Sequence, residues 1–416
     1  MPRTRTLQPV LAGVVLAVVG FASSFAVVLA GLRAVGADPR QAASGLLVLC
    51  LTMGVTAIVL GLRYRMPLSI AWSTPGAALL VAVGPQHPDY REALGAFLAT
   101  GALLLAAGLS GRFARLLHAI PGPLAAAMLA GVLLPLCLAP VQAVAQLPRQ
   151  AVPVVAVWAV LFRFAPRWAV PGALLTAVAA ILLTRPHGGS AVSLWPVLTA
   201  QAPAFSAGAL IGIAVPLFVV TMASQNIAGM SMLASYGYRP PLRPVLATTG
   251  IATMMGAPFG GHAVNLAAIT AALAAGPDAH PDPRRRWIAS VTGGIVYIAL
   301  GLSTGLTLSL ISASPPLLIE TVAGLALLGT LGSALHSAVQ DSGRRDAAVM
   351  TLVVTASGIA PFGIGAALWG LLAGLAFQAL FGRAPQAAPQ APKPEPEPAA
   401  RQAAGSSETR RHRPQD

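Results

Sequence analysis

The segment MPLSIAWSTPGAALLVAVG (Met66 to Gly84) places two prolines and several polar residues in the first half of an otherwise apolar run. The segment MGAPFGGHAVNLAAITAAL (Met255 to Leu273) repeats this arrangement later in the chain. Proline removes a backbone donor and glycine tolerates open φ/ψ angles, so each segment is predicted to be an extended stretch followed by a half-helix. At membrane depth such backbone is tolerated only where it is buried in protein or lines a cavity.

The composition around these segments is that of a membrane protein. Of the 416 residues, 56% are hydrophobic and 9% are charged, and the mean hydropathy is +0.74. Because a spanning helix needs about 20 mostly apolar residues, the apolar runs predict an all-α membrane protein with 14 transmembrane segments. These lie near residues 9–33, 41–61, 67–84, 91–109, 121–142, 149–164, 168–184, 205–234, 242–256, 258–275, 286–309, 315–337, 346–361 and 364–382.

The charge distribution predicts the topology. The formal net charge of +14 does not indicate a nucleic-acid partner, because the basic residues are scattered one to three per loop and form no patch. With the N-terminus inside, fifteen loop arginines fall on cytoplasmic turns and five fall outside, as the positive-inside rule requires. We therefore expect a multi-pass protein of the bacterial inner (plasma) membrane with both termini in the cytoplasm.

The two halves of the chain repeat one another weakly. Pro123-Leu124, five residues, Ala130-Gly131 matches Pro316-Leu317, five residues, Ala323-Gly324 at an offset of 193 residues. Because seven crossings is an odd number, the second half starts on the opposite side of the membrane, and the repeats are inverted. The predicted organisation is a first inverted repeat (1–184), an external linker (185–204), a second inverted repeat (205–382) and a disordered cytoplasmic tail (383–416).

The two broken segments predict where the substrate-binding site lies. If both half-helices begin near the midplane, their N–H groups and positive dipole ends converge and favour an anion such as a carboxylate. The alternative is a pair of proline-kinked packing helices with small-residue contacts. The polar, glycine and aromatic residues beside the breaks and in the first and eighth spans are the candidate substrate-binding residues: Ser24, Phe25, Trp72, Ser73, Thr74, Ser224, Gln225, Asn226, Gly260, Gly261, His262 and Asn265.

Two ionisable side chains within spans are candidates for proton coupling. His262 is an intramembrane titratable group, and such groups are functional hypotheses by default. A neutral histidine that hydrogen-bonds between helices is the competing interpretation. Glu320 is the only carboxylate well inside an apolar span, and it either carries a proton or lies hydrated near the outer surface.

The motifs of several enzyme classes do not occur in the sequence. It contains no P-loop, no H-E-x-x-H and no paired-cysteine metal motif. We therefore expect no catalytic site, cofactor or metal. Cys50 and Cys137 both lie inside apolar spans and are expected to be buried thiols without a disulfide.

Four motifs together resemble the benzoate/proton symporter family, the BenE-like benzoate membrane transporters. They are GFASSFAVVLAGL (Gly20 to Leu32), PLSIAWSTPGAALL (Pro67 to Leu80), TMASQNIAGM (Thr221 to Met230) and GAPFGGHAVNLAAITAA (Gly256 to Ala272). The resemblance implies the seven-plus-seven inverted-repeat fold of uracil permease and SulP transporters. In that fold, spans 1–4 and 8–11 form a core domain, spans 5–7 and 12–14 form a gate domain, and the site lies between spans 3 and 10.

The resemblance also implies a function. It predicts secondary active import of benzoate or a related aromatic carboxylate by proton symport, with the carboxylate, the proton and membrane lipid as partners. The uracil permease relatives carry acidic residues in spans 8 and 10. The corresponding positions in this sequence are Ser224, Gln225 and the stretch from His262 to Asn265. The absence of acidic residues at these positions suits an anionic substrate. A nucleobase or inorganic-anion carrier on the same fold and an uncoupled anion channel are the alternatives. The fold allows a homodimer, which the sequence does not decide.

Overall fold

The computed structural model describes residues 3–84, 89–110, 121–184, 195–267, 269–305, 315–361 and 365–381. The tail predicted at 383–416 lies outside these ranges. So do the loop arginines Arg112, Arg115 and Arg185 that entered the topology prediction.

The described residues form fourteen α-helices, counting as one the continuous helix that includes two π-helical stretches, together with two short strands. In the first repeat these are α1 (Arg3–Ala34), α2 (Pro39–Tyr64), β1 (Ile70–Trp72), α3 (Thr74–Val83), α4 (Tyr90–Leu109), α5 (Gly122–Gln146), α6 (Pro148–Phe164) and α7 (Ala169–Thr184). In the second they are α8 (Ala207–Ser235), α9 (Leu242–Gly256), β2 (Val264–Leu266), α10 (Ile269–Ala275), α11 (Trp287–Leu302), α12 (Pro316–Val339), α13 (Arg345–Ala356) and α14 (Ala366–Phe381).

Helix length and composition agree with a membrane-spanning bundle. Within the described residues, α1 from Leu7 onward, α2, α4, α5, α8 and α12 are long and apolar enough to cross a membrane. The helix α2 starts at a capping box in which Asp38 and Gln41 satisfy each other's backbone N–H groups. Cys50 and Cys137 are buried free thiols, as the sequence predicts.

The two broken segments pair with each other as an antiparallel two-stranded sheet. Ile70 lies opposite Leu266, and Trp72 lies opposite Val264. The pairing continues beyond the strands, because the Ser73 N–H donates to the Ala263 carbonyl at 2.9 Å. A lipid-surrounded chain has no water to satisfy its backbone, so each break supplies the hydrogen-bond partners that the other lacks. The prediction of an extended stretch followed by a half-helix is confirmed in both halves.

The packing of the helices repeats with inverted topology. In the first half α1 packs on α3, and in the second half α8 packs on α10. Helix α2 packs on α11 of the other half, and α9 packs in the corresponding way on α4. Helices α5 and α12, which are also equivalent, pack extensively on each other. These are the contacts expected when the chain folds as two inverted seven-span repeats related by a pseudo-two-fold axis.

Glycines sit at the two equivalent helix crossings of the core. A methyl group added at Gly54 on α2 would lie 2.6 Å from the Gly294 carbonyl oxygen on α11, and the reverse contact is also 2.6 Å. At the crossing of α4 with α9, Gly101 and Gly250 are related in the same way, at 2.9 and 2.8 Å. Small residues let membrane helices approach closely. Both crossings therefore depend on the absence of a side chain.

The remaining helices form a second packing group. Helix α13 packs on α14 and on α5, and α6 packs on α7. Thr355 of α13 fits between Gly131 of α5 and Gly370 of α14. We refer to α5–α7 and α12–α14 as the gate bundle, and to α1–α4 and α8–α11, with the two strands, as the core bundle.

The crossing at Gly294 gives a test of this packing. We expect Gly294→Ala to lower the free energy of unfolding by about 1–3 kcal/mol, because the new methyl group meets the backbone of α2 rather than a movable side chain. The measurement is the melting temperature of the purified protein in detergent. Gly332→Ala on α12 is the matched control, since a methyl group there meets nothing within 4 Å. Equal melting temperatures for the two variants would contradict the crossing.

Candidate functional site

A cavity of about 840 Å³ lies between the core and gate bundles. Its walls come from the middle of α1, the end of β1, Ala267 just after β2, the first turns of α3, and residues of α10. The middle of α8, one residue each of α2 and α11, and the facing halves of α5 and α12 complete them. The two breaks therefore meet at one cavity. A volume in the range of several hundred Å³ is typical of small-molecule sites.

The cavity runs from the strands to one end of the bundle. It reaches Gly122 at the start of α5 and the exposed Gln340 just beyond α12, beside the loop that carries Arg344 and Arg345. A polar stripe on α12 follows this route, and its members are Thr330, Ser333, Ser337 and Gln340. These residues are three or four positions apart and so share one helix face. Sequence reasoning missed them, although this spacing in an otherwise apolar helix was a usable signal.

Helix α3 begins in the cavity wall and is capped from within. The Ser73 hydroxyl oxygen accepts the Gly76 N–H at 3.1 Å, and the Thr221 hydroxyl of α8 donates to the same oxygen at 2.8 Å. Ser73 is fully buried beneath Thr74 and Pro75, which line the cavity. Ser73 therefore fixes the start of the helix, and Thr74 presents the first turn and its partial positive charge to the cavity.

Aromatic rings cover the wall next to that helix start. The Trp72 indole N–H donates to the Ser24 hydroxyl at 2.9 Å, and Ser24 donates to the Gly20 carbonyl at 2.9 Å. The Trp72 ring lies 5.8 Å from the Phe21 ring and 6.3 Å from the Tyr297 ring, centroid to centroid. Trp72, Ser24 and Tyr297 line the cavity. The site therefore offers aromatic faces beside a helix N-terminus.

The aromatic layer extends to Phe25, which does not line the cavity. It stacks on Phe21, with ring centroids 5.4 Å apart. Phe25 was a candidate for direct stacking on a ligand. Phe21 does not line the cavity either, so Phe25 lies further from the wall, in contact with the packed core.

The polar cluster of α8 divides between two directions. The stretch Met222–Ile227 is π-helical, a local widening that occurs often at functional sites. Ser224 and Gln225 line the cavity, and the Ser224 hydroxyl donates to the Val220 carbonyl. Asn226 is fully buried, and its side-chain oxygen accepts the Leu266 N–H of β2 at 3.0 Å. The three adjacent residues thus serve both the cavity and the strand pair.

The stretch from Gly260 to Asn265 in the second broken segment does not line the cavity. Gly260 has a positive φ of 97° and fits between Gly45 of α2 and the Tyr90 hydroxyl. Gly261 is buried beside it and donates its N–H to the Gly256 carbonyl. Asn265 is buried opposite Ala71 and donates to the neighbouring Leu266 carbonyl at 2.9 Å. These residues shape the break rather than the cavity surface.

His262 is fully buried next to this turn. Its ring meets Phe97 of α4 edge-on at 6.2 Å, and its Nδ1 accepts the Ala263 N–H. Among the described residues its Nε2 has no hydrogen-bond partner. Accepting at Nδ1 places the proton of the neutral ring on Nε2. His262 does not line the cavity.

The other candidate for coupling, Glu320, is partly buried near the start of α12 and does not line the cavity. The cavity wall carries no charged side chain among the described residues. Within the same residues no group of three His, Cys, Asp or Glu side chains is placed to hold a metal ion.

Comparison with known proteins identifies relatives across nearly the whole chain. The family described as "Benzoate membrane transport protein" matches residues 4–380. The "Inner membrane protein YdcO" of Escherichia coli is 42% identical over 88% of this chain and 93% of that protein. The "Benzoate membrane transport protein" of Acinetobacter baylyi is 33% identical over 77% of this chain and 82% of that protein.

Solved structures share the fold. The transmembrane domain of the cyanobacterial bicarbonate transporter BicA superposes with a TM-score of 0.58 at 15% identity, covering 89% of this chain and 98% of that one. The structure of SLC26A9 gives a TM-score of 0.61 at 14% identity, covering 89% of this chain and 64% of that one. These matches support the inverted-repeat architecture described above.

The polar route along α12 has a direct test. We expect Ser333→Cys to react readily with a charged, membrane-impermeant maleimide, because Ser333 is exposed and lines the cavity. Leu335→Cys is the control, since this exposed side chain lies on the same helix but not in the cavity wall. Cys50 and Cys137 are buried and contribute little background. Equal labelling of the two variants in vesicles would contradict the route.

Proposed function

The chain belongs to the benzoate membrane transport protein family, and we propose that it imports benzoate or a related aromatic carboxylate together with a proton. The observation that carries the proposal is the position of Trp72 and Thr74, which lie two residues apart and line the same cavity. One supplies an aromatic face and the other the first turn of a helix. An aromatic carboxylate has the two complementary groups.

The electrostatics of the cavity favour an anion. The start of α3 carries the partial positive charge of the helix dipole, and helix N-termini bind carboxylates and phosphates. No acidic side chain of the described residues lines the wall, so none repels a carboxylate. In a water-poor site this dipole is screened weakly. The carboxylate is proposed to lie at Thr74, with the ring against Trp72.

The direction of opening follows from the loop charges. The cavity opens toward the loop of Arg344 and Arg345, and the positive-inside rule assigns that loop to the cytoplasm. We propose that the structure is the inward-open state in a bacterial inner membrane with both termini inside. Transport would then move the core bundle against the gate bundle, so that the cavity opens alternately to the two sides.

His262 is proposed to couple the proton to the substrate through the strand pair. A proton on Nδ1 would replace the lone pair that accepts the Ala263 N–H. The carbonyl of Ala263 accepts the Ser73 N–H, and Ser73 caps the helix start at the cavity. A change at His262 can therefore reach the proposed carboxylate site through two backbone hydrogen bonds without direct contact.

Uptake into proteoliposomes tests the substrate and the coupling together. We expect labelled benzoate to accumulate above its equilibrium level when the outside is acidic and to equilibrate only when the pH is equal on both sides. Benzoic acid crosses bilayers in its neutral form, so protein-free liposomes under the same gradient are the control. If the benzoate flux through the protein is the same with and without the pH gradient, the protein is an uncoupled channel. If benzoate flux does not exceed the control but a nucleobase or an inorganic anion is transported, the result supports a nucleobase or inorganic-anion carrier instead.

Substitution of His262 tests the coupling group. We expect His262→Ala to abolish gradient-driven accumulation while benzoate exchange between loaded and external pools continues, because binding does not require direct contact with the imidazole. His336→Ala is the matched control, since His336 is exposed near the end of α12. If His262→Ala accumulates benzoate normally and Glu320→Gln does not, the coupling role passes to Glu320.

A further inference from the structure

Tyr297 of α11 presents an uncommitted hydroxyl at the cavity. Its ring is 3% exposed and lines the cavity beside Trp72. Among the described residues its hydroxyl has no hydrogen-bond partner, and it is not sealed away as a buried orphan atom. A phenolic O–H can donate and accept. In a largely apolar wall such a group is a point of recognition, because leaving it unpaired against a ligand is costly.

A second residue that carries a hydroxyl, Thr270, lies close to Tyr297. Gly20 of α1 stands between them, since a methyl group added there would lie 2.3 Å from the Tyr297 hydroxyl oxygen and 3.4 Å from the Thr270 methyl carbon. Thr270 of α10 also lines the cavity and has no hydrogen-bond partner among the described residues. The bare backbone of Gly20 thus leaves room for both side chains at one place.

Two other serines of the wall, Ser24 and Ser224, already use their hydroxyl hydrogens. Ser24 donates to the Gly20 carbonyl while it holds the Trp72 indole, and Ser224 donates to the Val220 carbonyl. Their hydroxyl hydrogens are therefore used within the protein. The hydroxyls of Tyr297 and Thr270 remain free for a ligand, on helices other than α3, where the carboxylate is proposed to bind.

We propose that Tyr297 and Thr270 form a second polar subsite that binds a ring hydroxyl of the substrate, so that the cavity favours hydroxylated aromatic carboxylates. This rests on the proposed function, because the carboxylate is taken to lie at the start of α3 and the ring against Trp72. A ring in that position projects a substituent toward the neighbouring Tyr297. Ser24 is in this arrangement a positioning residue, which orients the indole rather than the ligand.

The test is a comparison of binding constants for benzoate, 3-hydroxybenzoate and 4-hydroxybenzoate. In the wild-type protein we expect at least one hydroxybenzoate to bind more tightly than benzoate. Tyr297→Phe is expected to weaken binding of that hydroxybenzoate roughly three- to tenfold, the usual effect of one lost hydrogen bond. Benzoate binding is expected to change less than twofold. Tyr64→Phe is the matched control, since Tyr64 ends α2 outside the cavity.

Two further variants separate a lost hydrogen bond from a disturbed wall. Thr270→Val should also weaken the hydroxybenzoate selectively. Gly20→Ala should do the same by displacing the Tyr297 ring end. Melting temperatures identify any variant that fails to fold, and the remaining variants then decide the result. An equal loss for benzoate and the hydroxybenzoates, or no loss for either, would overturn the subsite. Failure of the wild-type protein to bind all three acids would instead overturn the proposed function, and the subsite with it.

Discussion

The antiparallel pairing of β1 with β2 is the interaction on which the rest of the structure depends. Two spans that cannot complete a helix have unpaired N–H and C=O groups at membrane depth, and each such group costs several kcal/mol in hydrocarbon. The strands solve this by bonding to each other, with Trp72 opposite Val264. The pairing brings segments that are about 190 residues apart in the chain to one place. It thereby creates the common starting point of α3 and α10.

The pairing also divides the polar residues into two layers. On the cavity side lie Trp72, Thr74 and the outward-facing part of the α8 cluster. On the far side lie His262 and the glycine turn, packed against α2 and α4. Asn226 of α8 does not line the cavity. Its side-chain oxygen accepts a backbone N–H of β2 and so ties α8 to the strand pair.

The pseudo-two-fold symmetry gives the core two equivalent tight helix crossings. The crossings at Gly54 with Gly294 and at Gly101 with Gly250 are equivalent, and each joins helices of opposite repeats. Close backbone contact at both crossings ties the halves together on either side of the strand pair. The gate bundle has its own tight contacts around Thr355. The large cavity lies between the two bundles.

Hydropathy and the positions of proline and glycine were enough to predict fourteen spans, two breaks and inverted repeats, because these depend on local composition and on the parity of crossings. The direction in which each side chain points was not predictable in the same way. Adjacent residues on a helix differ by about 100°, so Ser224 and Asn226 serve opposite sides although they belong to one motif. Hydropathy cannot distinguish a cavity wall from a packed interior. Only the fold shows that Tyr297 lines the cavity and that His262 and Phe25 do not. The sequence by itself determined that a polar site exists at the breaks. Only the tertiary structure decided which side chains reach the cavity, because its walls come from helices that are remote in the chain and meet through packing.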